Sequence, residues 1–206
     1  MFLENTIKSP RQSGWMEVIC GSMFSGKTEE LIRRLRRAEM AGLEVEIFKP
    51  QTDTRYSEED VVSHNDNKIK STAVNNPDEI LLLGSNCDVV GIDEAQFFNE
   101  RIVGVANQLA NSGVRVIIAG LDMDFKGRPF GPMPFLMATA EYVTKVHAIC
   151  KRTGTLAHYS LRTTSNEDLV QLGETESYEA VSRKVFCEEM EKRKHGVFSK
   201  GTGEEN

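Results

Sequence analysis

Residues Gly21 to Thr28 read G-S-M-F-S-G-K-T, and their setting constrains the fold more than any other stretch of the chain. An apolar run, Trp15 to Cys20 (WMEVIC), comes before them and suits a buried strand. A helical pattern follows from Thr28 to Ala41. Leu31, Ile32, Leu35 and Ala38 recur at helical spacing, Arg33, Arg34, Arg36 and Arg37 line the other side, and Gly42 is placed as a C-cap. Strand, glycine-containing loop and helix start fit G-x-x-x-x-G-K-[ST], a loop whose backbone N–H groups surround phosphate at a helix N-terminus. In that role Gly21, Ser22, Met23, Phe24, Ser25 and Gly26 cradle the anion. Lys27 offsets β/γ-phosphate charge and the Thr28 hydroxyl is placed to hold Mg²⁺.

The elements downstream alternate in the same way. Leu43 to Phe48 reads as a second strand stopped by Pro50, Val89 to Ile92 as a third, and Val114 to Ala119 as a fourth. Pro77 to Leu83 and Asn99 to Asn111 read as helices between them. Near-continuous apolar strands alternating with helices predict an α/β fold, a parallel sheet flanked by helices. Residues 51–67 are polar and read as a mobile loop. After about Ala140 the texture changes. Tyr142 to Ile149 and Thr155 to Arg162 read as short strands, and a helix is expected over Glu179 to Arg193. The expected organisation is a flexible arm over 1–14, an ATP-binding core over 15–145, a small module with the C-terminal helix over 146–193, and a disordered tail over 194–206.

Composition removes competing classes. With 39% hydrophobic residues and a net charge of −6, the 206-residue chain is neither disordered throughout nor carrying the basic footprint of a nucleic-acid binder. No run approaches the roughly 18 apolar residues of a membrane helix, so no membrane partner is expected. The N-terminus has no signal-peptide pattern. Cys20, Cys87, Cys150 and Cys187 form no CxxC and no disulfide scaffold, and cytoplasm is the expected compartment.

A phosphate loop of this type requires a carboxylate at the end of a neighbouring strand. Asp93 follows Val89 to Ile92 directly, and Glu94 follows it. In open α/β sheets the ligand crevice lies at that strand end. Position divides the labour: Asp93 serves the Mg²⁺ shell through water, and Glu94 is the candidate catalytic general base. A kinase and a phosphate-loop switch or motor both remain open on these residues. An acceptor pocket of aromatic side chains distinguishes the kinase, and ATP consumption with and without a nucleoside discriminates the two.

Five motifs stand in order: GSMFSGKT (Gly21 to Thr28), DTRYS (Asp53 to Ser57), DEAQFF (Asp93 to Phe98), GLDMDFKGRPFGPMP (Gly120 to Pro134) and GETESYEA (Gly173 to Ala180). In this order the chain resembles the type II thymidine kinases from about Trp15 to about Arg193. The resemblance implies a P-loop NTPase-type sheet with a small C-terminal β-rich lasso module. It implies transfer of the ATP γ-phosphoryl group to the 5′-hydroxyl of deoxythymidine, with Mg²⁺, and Glu94 as the base. It places Asp93, Glu94, Ala95, Gln96 and Arg55 with the phosphate loop on the ATP side. It places Phe97, Leu121, Phe125, Phe130, Ser160 and Tyr178 in the nucleoside pocket, with Leu169, Val170, Gln171, Leu172 and Gly173 gripping the base through backbone atoms. A homotetramer and feedback inhibition by dTTP are further implications of the resemblance.

The chain departs from that family at one place. The family's structural zinc is held by two Cys pairs, the second sometimes C-x-x-H. The four equivalent positions here are Cys150, Thr153, Ser182 and Val185. Hydroxyls are not normal structural zinc ligands and valine cannot ligate, so no structural zinc is expected. His147, His158 and Cys187 are the residues near enough in sequence to build a different site. The module is expected to rest on packing instead, with Ile149, Leu156 and Leu161 between its strands.

Overall fold

The computed structural model describes residues 14–51, 60–62, 68–164 and 177–194. The elements run β1 (Trp15–Gly21), α1 (Lys27–Met40), β2 (Val45–Pro50), β3 (Asp60–Val62), β4 (Lys68–Lys70), β5 (Thr72–Val74), α2 (Pro77–Gly84) and β6 (Val89–Ile92). A 3₁₀ turn (Ala95–Phe97), α3 (Arg101–Asn111), β7 (Arg115–Leu121), α4 (Met133–Thr139) and β8 (Tyr142–Val146) follow. The chain then forms β9 (Ala148–Ile149), β10 (Leu156–Ala157), β11 (Tyr159–Arg162), β12 (Tyr178–Val181) and α5 (Arg183–Lys194).

Six strands form one sheet in the order β5-β2-β6-β7-β1-β8, and every neighbouring pair is parallel. Parallel strands are buried on both faces, which is why these runs are apolar throughout. Side chains of β1 alternate between two cores. Met16, Val18 and Cys20 join the cluster under α2, α3 and α4, while Ile19 joins Leu31, Ile32 and Leu35 of α1. The order places β6, β7 and β1 side by side, with Ile92 opposite Ile118 and Leu121 opposite Gly21. Their C-terminal ends therefore meet at one edge of the sheet.

Local chemistry explains the helix boundaries. At the end of α1, Gly42 at φ 76° donates to Glu39 O and Leu43 N–H donates to Ala38 O, a Schellman arrangement closing the last carbonyls. Helix α2 opens with a capping box between Asn76 and Glu79, and Pro77 occupies its first turn.

Several expectations change. Glu179 lies in a strand: β12 pairs antiparallel with β11, so the helix is confined to Arg183–Lys194. Strand pairing there sets Ala180 opposite Ser160 and Val181 opposite Tyr159, and both are buried. The run expected as one strand over Tyr142 to Ile149 divides into β8, in the main sheet, and β9, which pairs with β10. The expected loop over 51–67 contains β3, paired antiparallel with β4. Strand β5 and helix α4 were not expected at all.

The elements from β9 to α5 share a third cluster that includes Cys150, Ala157, Tyr159, Leu161, Val181, Val185 and Phe186. Tyr159 and Phe186 stack at 4.3 Å. Leu161 is buried as expected, but Ile149 and Leu156 are exposed. They face each other across the β9–β10 pair, and the same alternation turns Ala148 and Ala157 inward. The expected arm over 1–14 lies outside the described residues except for Gly14, and the expected tail over 194–206 does so except for Lys194.

Candidate active site

The phosphate loop is built by backbone geometry. Gly21 has φ 151° and Gly26 has φ 81°. A Cβ on Gly21 would lie 2.2 Å from Val146 O on the neighbouring strand, so only glycine fits. Gly26 caps α1 with no side-chain hydrogen bond, which leaves the first N–H groups of the helix for an anion. Ser25 Oγ donates to Ser22 O at 2.7 Å, and Lys27 Nζ donates to the same carbonyl at 2.8 Å. The ammonium is thus folded back onto the loop backbone. Burial lowers the Lys27 pKa, while Glu94, Asp93 and Asp122 hold it up. Ser22 Oγ is buried and has no hydrogen-bond partner among the described residues.

Asp93 stands at the end of β6. The Thr28 hydroxyl donates to Asp93 Oδ2 at 3.3 Å, and Glu94 N–H donates to Asp93 Oδ1 at 2.9 Å. Burial and the adjacent Glu94 push the Asp93 carboxyl well above the ordinary carboxylate range. A buried carboxyl and a hydroxyl, both hard oxygen donors beside the phosphate loop, fit a Mg²⁺ ion.

Glu94 has φ 52°, one of two non-glycine residues with positive φ among the described residues; the other is Phe24, in the phosphate loop. Such backbone strain gathers at sites where a side chain must be aimed. The Gln96 amide donates to Glu94 Oε2, and Gln96 Oε1 accepts from Leu121 N–H at 2.9 Å. Gln96 therefore ties the Glu94 carboxylate to the end of β7. Gly131 closes over it, since a Cβ there would meet Gln96 O at 2.3 Å.

Three residues after Glu94 an aromatic pair begins. Phe97 and Phe130 meet edge to face at 5.6 Å. Phe125 and Phe130 are buried. The turn that carries them is folded on Asp124, whose Oδ1 accepts from Lys126 N–H at 2.8 Å and Arg128 N–H at 2.9 Å. Ser160 Oγ accepts from Met23 N–H at 2.9 Å, so β11 touches the phosphate loop. Tyr178 faces Arg162 across the β11–β12 pair.

The motif model for "Thymidine kinase" matches residues 14–186. The chain belongs to the thymidine kinase family. The thymidine kinase of Bacteroides fragilis is 61% identical over 90% of this chain and 94% of its own. That of Bacteroides thetaiotaomicron is 60% identical over the same shares. That of Porphyromonas gingivalis is 59% identical over 89% of this chain and 90% of its own. Among solved structures, a genome packaging NTPase of Sulfolobus turreted icosahedral virus 2 has a TM-score of 0.45 at 16% identity, over 69% of this chain and 79% of that chain, a likeness too loose to add to the argument.

As a member of this family, the chain brings Lys27, Thr28, Asp93, Glu94, Gln96 and Leu121 to adjoining strand ends. Arg55 and residues 169–173 lie outside the described residues. Cys150, Thr153, Ser182 and Val185, where the resemblance implies zinc ligands, lie close together. Burial pushes the Cys150 thiol up, but hydrogen bonds from the Thr153 side chain and from the Ser182, Thr153 and Arg152 backbones bring it down to about 7. Val185 packs in the same cluster as Cys150. His147 and His158 meet edge-on at 4.5 Å, while Cys187 is exposed.

Sequence reasoning missed two groups. One is Arg162, a charged residue that β11 buries completely. The other is Asp122, which follows Leu121 and lies 2.7 Å from Lys145 Nζ. Neither carried a signal in the sequence: Arg162 alternates with the apolar Tyr159 and Leu161 on the face of Ser160, and Asp122 falls one residue past the end of β7.

Proposed function

We propose that the chain is an ATP-dependent thymidine kinase that phosphorylates the 5′-hydroxyl of deoxythymidine to give dTMP and ADP. The observation that carries this reading is the aiming of Glu94. Its carboxylate leaves a strained backbone one residue after Asp93, acts on the Lys27 ammonium and is held by Gln96, and Phe97, three residues on, meets Phe130 edge to face.

The backbone N–H groups of residues 21–28 and the Lys27 ammonium hold the phosphates of ATP. Thr28 and Asp93 would hold Mg²⁺, Asp93 through water, and the ion would offset charge on the β/γ-phosphate oxygens. Phe97, Leu121, Phe125, Phe130, Ser160 and Tyr178 line the nucleoside side, with the backbone of 169–173 reading the base edge and Arg55 meeting phosphate. The 5′-oxygen forms its bond to the γ-phosphorus as the bond from that phosphorus to the ADP oxygen breaks. The hydroxyl proton passes to Glu94. Positioning supplies most of the acceleration, because phosphoryl transfer asks little covalent chemistry of the protein.

Cytoplasmic location, a homotetramer and inhibition by dTTP belong to the same reading. Among the described residues no helix is long and apolar enough to cross a membrane. ATP turnover measured with and without deoxythymidine tests the reading. Strong stimulation with dTMP as product is expected; equal turnover in both conditions would overturn it in favour of a switch or motor.

A further inference from the structure

Arg162 is a fully buried residue on β11, and a guanidinium is charged at every accessible pH. Burying it is costly unless its donors are used. Nε and Nη2 both donate to the Tyr178 hydroxyl, the former at 3.0 Å. Its Cζ lies 3.8 Å from the Phe125 ring centroid and 5.1 Å from that of Tyr178. Arg162 and Tyr178 are register partners, and the Arg162 carbonyl accepts from Arg193 of α5. The guanidinium plane thus joins two aromatic residues that come from distant segments, one after β7 and one opening β12. Two residues earlier on the same face of β11, Ser160 accepts from the phosphate loop.

We propose that Arg162 is a positioning residue for the nucleoside: its fork fixes the Tyr178 hydroxyl while its flat face seats Phe125, setting the spacing of the two rings that hold the base. The inference rests on the reading of Phe125 and Tyr178 as nucleoside contacts. An apolar side chain of similar length would fill the same volume but would not hold the phenol in register. Lysine would keep the charge but lose the planar fork that serves both rings at once.

The test uses the full-length chain with R162K, R162M, Y178F and the double variant R162K/Y178F. Steady-state kinetics give KM for deoxythymidine and for ATP separately, and thermal denaturation reports on the fold. We expect R162K and R162M to raise the deoxythymidine KM roughly tenfold while the ATP KM stays within about twofold. We expect the double variant to be no worse than R162K alone, because both changes remove one linkage. Parallel changes in both KM values with a lowered Tm, an unchanged deoxythymidine KM, or additive effects in the double variant would overturn the proposal. So would failure of every Arg162 variant to fold, which assigns the residue to the module's core alone. Wild-type chain without nucleoside-stimulated turnover would instead overturn the kinase reading itself.

Discussion

Glu94 shows how much of a site depends on one backbone angle. At φ 52° its own N–H turns back to Asp93 while its side chain goes forward to Gln96. Two adjacent acids thereby serve different partners. Replacing Glu94 with Gln keeps the shape and removes the proposed proton acceptor. We expect kcat to fall by about 10²–10⁴ with an unchanged circular dichroism spectrum. A variant keeping more than about a tenth of wild-type kcat excludes Glu94 as the base. Gln96→Ala leaves the carboxylate but removes its tether and strands the Leu121 N–H. A smaller loss is expected, on the order of 10–100-fold in kcat, because misaiming costs less than losing the group. No change in stopped-flow or steady-state rates would show that Glu94 needs no tether.

Among elements, β1 carries a charge where its alternation calls for an apolar residue. Glu17 is buried between Arg34 of α1 at 2.7 Å and Arg115 of β7 at 2.6 Å, and Trp15 Nε1 donates to it at 2.7 Å. The carboxylate pins helix and sheet together beneath the phosphate loop. Burial raises its pKa, but Arg115, Trp15 and Arg34 outweigh that and hold it below the ordinary 4.5. A carboxyl lowered in the folded state adds stability that is complete above its unfolded value and is lost as pH falls through the folded value. Urea unfolding of wild type should therefore weaken steadily below about pH 4.5, and Glu17→Leu should show a shallower dependence there. At neutral pH Glu17→Leu leaves two guanidinium groups without this carboxylate and should cost about 3–5 kcal/mol. Identical pH profiles for the two proteins would remove Glu17 from the acid response.

At the scale of the whole molecule, two clusters sandwich the sheet and a third holds the elements from β9 to α5. The third cluster includes Cys150 and Val185 and is held by apolar packing and the Tyr159–Phe186 stack. Leu161→Ala should cost roughly 2–5 kcal/mol, read as a lower urea midpoint, because the side chain is buried. Leu156→Ala, on the exposed face, should change the midpoint little. Purified protein is expected to carry no stoichiometric zinc and to keep its activity through chelation in excess Mg²⁺. About one zinc per chain by elemental analysis, lost together with activity, would overturn this, since one thiolate cannot complete a tetrahedral site.

What the sequence determined alone was local or strongly periodic. The strand, glycine loop and helix around GSMFSGKT are short-range chemistry, and so are the Pro77 start of α2 and the acids after Val89 to Ile92. Parallel pairing followed from runs apolar on both faces. The tertiary structure decided what depends on partners far along the chain. YEAV over 178–181 became a strand because β11 lay beside it, and Ile149 and Leu156 turned outward because the smaller alanines filled the inner face. The burial of Glu17 and Arg162 rests on partners 98 positions away at Arg115 and 16 away at Tyr178, within hydrogen-bond distance. No local pattern encodes such a pair, because its free energy exists only once both ends have been brought out of water together.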